Sequence, residues 1–283
     1  MTQPGPIAAK VLLAWNGSPA AAAGLTVAEQ VARQLGAQLE VLHVWRDAKE
    51  EQQQGSQREE EARRLGMAMR FEIGDAADEI IRLTEEPGVL LVTLTTHGRE
   101  IEPGYRLGSV AEKVVAHTTR PVLIVKPEST AAKARGGLRR LLVPIDGTPK
   151  TATALRPVTE LAAALGGSID LLYVADGPAP TERGSMTAPR YVDQPQHEWP
   201  AWAAEVIHRL ATCCAGCPPE VPVRIFLARG DIGEEIARFA TENQADAIVL
   251  VRRSKFQPGR AKVIRSVLSQ TSCFVVIVGG EDV

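Results

Sequence analysis

Four blocks of residues occur twice in this chain, in the same order, and nothing else in the sequence restricts its fold as strongly. "VLLAWNGSP" (Val11–Pro19) lies over "LLVPIDGTP" (Leu141–Pro149) at an offset of 130, and the same offset carries "LEVLHV" (Leu39–Val44) onto "IDLLYV" (Ile169–Val174). Placing Gly74 on Gly230, an offset of 156, brings "FEIGDAADEIIRLTEE" over "FLARGDIGEEIARFATEN". "GSVAEKVVAHTTRPVLIV" (Gly108–Val125) matches "AKVIRSVLSQTSCFVVIV" (Ala261–Val278) at an offset of 153. Solenoid repeats run to about 20–50 residues, so a period this long means a duplicated domain. The second copy holds 26 extra residues around "PAPTERGSMTAPRYVDQPQHEWP", where proline and glycine predict a long loop, and it lacks three before its last helix.

Within each copy, apolar strands alternate with helices. "KVLLAW", "LEVLHVW", "MAMRFEI", "VLLVTL" and "PVLIV" read as strands of the first copy. Between the first two, Leu25, Ala28, Val31, Ala32 and Leu35 share one helical face, and the pattern stops at Gly36. Strands apolar on both faces and separated by helices predict a parallel sheet covered on both sides. The fold class is therefore α/β: two tandem, doubly wound, Rossmann-like domains, expected over 1–128 and 140–283 with a linker at 129–139. The wholly apolar last strands, "PVLIV" and "FVVIV", are expected to pair with each other or with another chain, because an exposed strand of that kind invites pairing. The charged stretch Asp47–Arg64 predicts a solvated helix broken near Gly55, which would leave the first copy with a short second helix and an open ligand cleft.

Composition removes several classes of function. A net charge of −2 gives no electrostatic reason to expect nucleic-acid binding. No apolar run approaches the roughly 20 residues that cross a bilayer, and the N-terminus lacks a signal-peptide pattern, so the expectation is a cytoplasmic protein without a membrane partner. Four cysteines do not make a disulfide framework. Cys214-x2-Cys217 lacks the second ligand pair of a zinc site and falls at a helix end, as does neighbouring Cys213. No metal site is expected from the protein's side chains.

Ligands of open parallel sheets settle beyond the carboxyl ends of the strands. Two turns of each copy reach that edge. One is "WNGS" (Trp15–Ser18) or "IDGT" (Ile145–Thr148); the other, in the first copy, is "TTHGREIEPGYRLGS" (Thr95–Ser109). A loop that enters a helix through Gly-Ser offers unpaired N–H groups and the positive end of the helix dipole, which suits phosphate. Gly98 and Gly108 would let an anion approach the backbone, and Ser109 with Glu112 has the spacing of a capping box.

With those residues in view, the repeat unit resembles the universal stress protein family over nearly its whole length, and the chain looks like a tandem two-domain member. Nucleotide-binding members carry G-x2-G-x9-G-[ST] after the fourth strand. Thr95-x2-Gly98-x9-Gly108-Ser109 has that spacing, with Thr95 in place of the first glycine. The resemblance implies an adenine nucleotide, ATP with or without Mg2+, in the first domain only. Gly98, Gly108 and Ser109 would surround phosphates and ribose, flanked by His97 and Val110. Val44 would meet adenine through its backbone, and Ala14, Trp15 and Asn16 would close the site from the end of the first strand, Asn16 standing where the family has an acid. The second copy keeps that acid as Asp146 and the adenine position as Val174. Its glycines, however, become Val251, Ser254 and Ala261, and Lys262 replaces Ser109 in a loop rich in Arg and Lys.

Three functions follow as alternatives. The first is a stress-response regulator or sensor that binds nucleotide; the second is an interaction module without nucleotide, acting through pairing of its own domains or as a homodimer. The third, a slow ATPase, is the least supported, because dedicated catalysis needs a positioned base or metal carboxylate and Asn16 occupies that place.

Overall fold

The computed structural model describes residues 8–96, 107–126, 137–145, 155–175, 221–252 and 258–279. The chain divides into two compact units, Met1–Gly137 with Phe274–Gly279, and Leu138–Cys273 with Gly280–Val283. Unit one contains β1 (Lys10–Ala14), α1 (Pro19–Gln34), β2 (Gln38–Trp45), α2 (Ala48–Leu65), β3 (Met69–Ile73), α3 (Ala76–Thr84), β4 (Val89–Thr95), α4 (Ser109–His117) and β5 (Val122–Val125). Unit two contains β6 (Arg140–Ile145), α5 (Arg156–Ala164), β7 (Ser168–Ala175), β8 (Val223–Arg229), α6 (Ile232–Glu242), β9 (Ala247–Arg252) and α7 (Pro258–Gln270). The remaining strand, β10 (Phe274–Gly279), groups with unit one, although its sequence closes the second repeat.

The strands of unit one follow the order β3-β2-β1-β4-β5-β10. All neighbours are parallel except the last pair, in which Val275, Val276 and Ile277 run antiparallel opposite Ile124, Leu123 and Val122. Unit two has the order β9-β6-β7-β8, parallel wherever register is defined. Right-handed crossovers place α1 and α2 on one face of the first sheet and α3 and α4 on the other. Between β1 and β4 the winding reverses, which opens a crevice at the carboxyl edge. Among the described residues no helix is long and apolar enough to cross a membrane.

The duplication holds at the level of single atoms. Gly74 and Gly230 share a left-handed φ of 152° and 149°, and a Cβ on either would press on the glutamate five residues later, Glu79 or Glu235. Both glycines donate to the last residue of the neighbouring strand, Trp45 O at 2.8 Å and Ala175 O at 3.1 Å. Asp75 and Asp231 then cap α3 and α6. Each motif is a tight strand-to-helix turn that only glycine enters without strain.

The expected break in the second helix does not occur. α2 runs unbroken from the Asp47 cap to Gly66, which ends it at φ 65°. Gly55 sits inside, with nothing nearer than Glu51 Cγ at 3.9 Å from a built Cβ. An interior glycine costs a helix about 1 kcal/mol against alanine, and the surrounding Glu, Gln, Lys and Arg residues supply enough propensity to carry it. A full-length α2 covers β2 and β3.

Under α1, Leu13, Trp15, Ala21, Ala28 and Val41 form one buried cluster, with Leu25, Leu39, Met67 and Met69 packed against it. Two close contacts set its geometry. Gly24 lets α1 press on β4, where a Cβ would stand 2.3 Å from Thr95 Cγ2. His43, buried beside Trp45 with ring centroids 4.2 Å apart, holds Trp15 O at 2.8 Å from Nδ1. A carbonyl only accepts, so Nδ1 carries the hydrogen. Burial holds the imidazole below its ordinary value, against the opposing pull of the Trp15 carbonyl.

Gly24→Ala should therefore destabilise unit one by about 1–3 kcal/mol through overpacking, and Thr95→Ser in the same chain should recover part of the loss. Urea unfolding of the two variants and the double variant measures the coupling. The second prediction concerns pH. Below the ordinary imidazole value of 6.5 the unfolded chain takes up a proton that folded His43 resists, so its contribution to stability is present above that value and lost as pH falls through it. Urea midpoints between about pH 7.5 and 5.5 should fall more steeply for the unaltered chain than for His43→Asn, by at most about 1.4 kcal/mol per pH unit.

Candidate functional site

β1 ends at Ala14, half-buried, and hands over to a turn built from its own side chains. Trp15 N donates to Leu42 O at 2.7 Å, and its ring turns into the core at 5 % exposure with Nε1 unpartnered. Only the Trp15 backbone thus faces the carboxyl edge. Asn16 is exposed, and its Oδ1 accepts from Ser18 N at 3.0 Å. Ser18 in turn caps α1 by accepting from Ala21 N. Gly17 between them takes a left-handed φ of 71°.

Beside this turn, Val44 is half-buried in β2, paired with Glu72 of β3. On the other side β4 ends at Thr95, also half-buried, its methyl against Gly24. Thr96 follows, 3 % exposed, with Oγ1 lacking a hydrogen-bond partner among the described residues. Side chains alternate across a sheet, so Thr96 faces away from Thr95 and α1, toward the face that carries α4. His97 and Gly98 lie outside the described residues.

The helix that receives the chain begins one residue earlier than the capping-box spacing requires. Ser109 is the first helical residue and Gly108 the cap, at φ −58° and ψ 156°, with no side-chain cap bond. A capping box needs the serine outside the helix, so Ser109 and Glu112 do not form one. The first bond of α4 runs from Glu112 N to Gly108 O at 2.9 Å, which leaves the amides of Ser109, Val110 and Ala111 without an acceptor among the described residues. Gly108, Ser109 and Val110 are exposed, and a Cβ on Gly108 would meet nothing within 4 Å. Exposed amides at the positive end of a helix are donors of the kind that suit an anion.

Unit two differs at this place. α7 starts at Pro258, so the counterparts of Gly108 and Ser109, Ala261 and Lys262, stand inside the helix rather than at its mouth. The residue matching Ser109 has a turn of helix before it to accept from its amide. The Asp146 turn and residues 253–257 of the basic loop lie outside the described residues, as do linker residues 129–136 and Cys213, Cys214 and Cys217. Cys273 is buried, its thiol directed at Ala245 O at 3.2 Å.

The opposite, amino-terminal edge of unit one has a cleft of about 260 Å³ lined by Lys10, Gln38, Leu39, Glu40, Ala68, Met69 and Arg70. Its charges are spent on each other: Lys10 and Arg70 both bind Glu40, and Arg70 also binds Glu72 and Glu86. That network raises the Arg70 pKa and serves packing. Among the described residues no group of three or more His, Cys, Asp or Glu could hold a metal ion. The β1–α1 turn does not fit one either: Asn16 is neutral, and the Arg58 guanidinium lies against Gly17.

Comparison with known proteins agrees with this fold. A universal stress protein from Archaeoglobus fulgidus DSM 4304 superposes with a TM-score of 0.66 at 19 % identity, covering 95 % of this chain and 98 % of that one. A putative universal stress protein from Pseudomonas aeruginosa UCBPP-PA14 gives a TM-score of 0.61 at 14 % identity, covering 97 % and 94 %. In sequence, a universal stress protein of Methanocaldococcus jannaschii is 33 % identical over 58 residues, 20 % of this chain and 36 % of that protein, so the match spans about a third of the relative's length. Structures that align with half of this chain include a universal stress protein in complex with cAMP and one from Archaeoglobus fulgidus in complex with dAMP, both at 16 % identity and with TM-scores of 0.37 and 0.35. The family model for universal stress proteins matches residues 8–126 and again 137–279, so this chain belongs to the universal stress protein family and carries its domain twice.

Proposed function

We propose that unit one binds an adenine nucleotide, ATP, and that the chain is a cytoplasmic stress-response regulator with one working nucleotide site. The observation that carries this reading is the mouth of α4. Gly108 offers no side chain, and among the described residues nothing crowds it and the amides of Ser109, Val110 and Ala111 have no acceptor. Phosphate oxygens would occupy that position, with the Thr96 hydroxyl and the Ser109 side chain at their flank. The base would lie along the carboxyl edge toward Val44, with the backbone of Ala14 and Trp15 beneath. In unit two α7 continues through the matching position, which supports a single site per chain.

The role is binding rather than dedicated catalysis. Asn16 has no carboxylate to hold a metal or accept a proton, and its Oδ1 is engaged by Ser18 N. Nucleotide binding would order the segment from Thr95 to Ser109 and change the surface shown to partners. We also propose that the two repeats join through their last strands. The antiparallel ladder of β5 with β10 supports this, because it gives an apolar strand a paired edge. A homodimer through another edge remains compatible with that arrangement.

Gly108→Asp tests the site. The new carboxylate would cap α4 itself, so stability should hold or rise by a few tenths of a kcal/mol while ATP binding by calorimetry disappears. Undiminished affinity in this variant would place the ligand elsewhere. Limited tryptic cleavage at Arg99 and Arg106 should slow when ATP is added, and cleavage at equal rates would count against ordering of the segment.

A further inference from the structure

Arg58 belongs to none of the segments from which the site was read, yet it reaches the site. It sits in the middle of α2, and its guanidinium lies where a side chain on residue 17 would begin. A Cβ built on Gly17 would stand 1.9 Å from Nη1, 2.1 Å from Cζ and 2.2 Å from Nη2. The left-handed φ of Gly17 therefore serves two ends: it turns the chain into α1, and it leaves room for the cation. The side chain is 20 % exposed.

The guanidinium has more donors than the protein uses. Among the described residues its one acceptor is Glu61 Oε2, 2.6 Å from Nη1, on the next turn of α2. A guanidinium carries five N–H groups, so four have no acceptor among the described residues. Those donors are open to a further acceptor, and an anionic oxygen is the acceptor a guanidinium binds most strongly. Glu61 is the one acid bonded to it among the described residues. Asn16 is neutral, and buried His43 is kept toward its neutral form, with Arg58 adding to that effect and Glu50 and Glu61 opposing it. The same turn follows β1 at the carboxyl edge, where strand order opens the crevice between β1 and β4.

We propose that Arg58 is an anion-binding and specificity-determining residue of the unit-one site, contacting phosphate oxygens of the nucleotide from the β1–α1 turn. It supplies there the positive charge that a carboxylate-held divalent cation would otherwise provide, so the site takes its nucleotide metal-free. This assignment rests on the nucleotide reading above, and it goes beyond it by naming the charge that selects the ligand.

The test is calorimetry of the full chain with ATP, AMP and adenosine, each in EDTA and in Mg2+. The unaltered chain should bind ATP in EDTA within about twofold of its affinity in Mg2+. Arg58→Gln should weaken ATP and AMP by about 10- to 100-fold, the loss of a charged hydrogen bond, and leave adenosine within about twofold and Tm unchanged. Arg58→Lys should recover part of the loss. Glu61→Gln, which frees the guanidinium, should strengthen ATP by up to about fivefold. Unchanged ATP affinity in Arg58→Gln overturns the assignment alone. An equal loss for adenosine overturns it in favour of stacking on the base, and a strict Mg2+ requirement overturns the metal-free site. No binding of any of the three by the unaltered chain overturns the nucleotide reading and this assignment together.

Discussion

β1 lies hydrogen-bonded between β2 and β4, and the site depends on that position. Because the chain winds outward from β1 in one direction and from β4 in the other, the helices leaving them cover opposite faces. No helix then closes the carboxyl edge between them. The crevice follows from strand order alone, before any side chain is considered. What side chains decide is whether the crevice can hold an anion.

In unit one they leave it open in three ways. Gly108 ends the incoming loop without a cap, so three amides of α4 stay unspent. Trp15 buries its ring and presents only backbone at the edge. Gly17 admits a guanidinium from α2. The α4 amides are positive, Arg58 is paired with Glu61, and Asn16 adds no carboxylate to the turn. Unit two has the same strand order around β6 but begins its last helix earlier, so the corresponding amides lie within a helix. One duplicated fold thus carries two different carboxyl edges.

The continuity of α2 matters for the same reason. A helix broken at Gly55 would have left the first copy with an open flank. The intact helix instead carries Arg58 across the β1–α1 turn and places Glu61 beside it. Glycine's helix penalty is a fraction of what the charged neighbours and the Asp47 and Gly66 caps return.

The duplication, the alternation of strand and helix, the parallel sheet and the glycine at the mouth of α4 were all legible in the sequence. Each is written locally: a periodicity, an apolar run, or a glycine before a helical pattern. The paired turns at Gly74 and Gly230 show how faithfully such local signals repeat. Only tertiary structure decided that Trp15 points inward, that Ser109 is inside its helix rather than capping it, that α7 begins at Pro258, and that Arg58 reaches Gly17. These depend on which surfaces meet across the sheet. Residues 17 and 58 are joined by packing, with no periodicity or spacing along the chain to announce it.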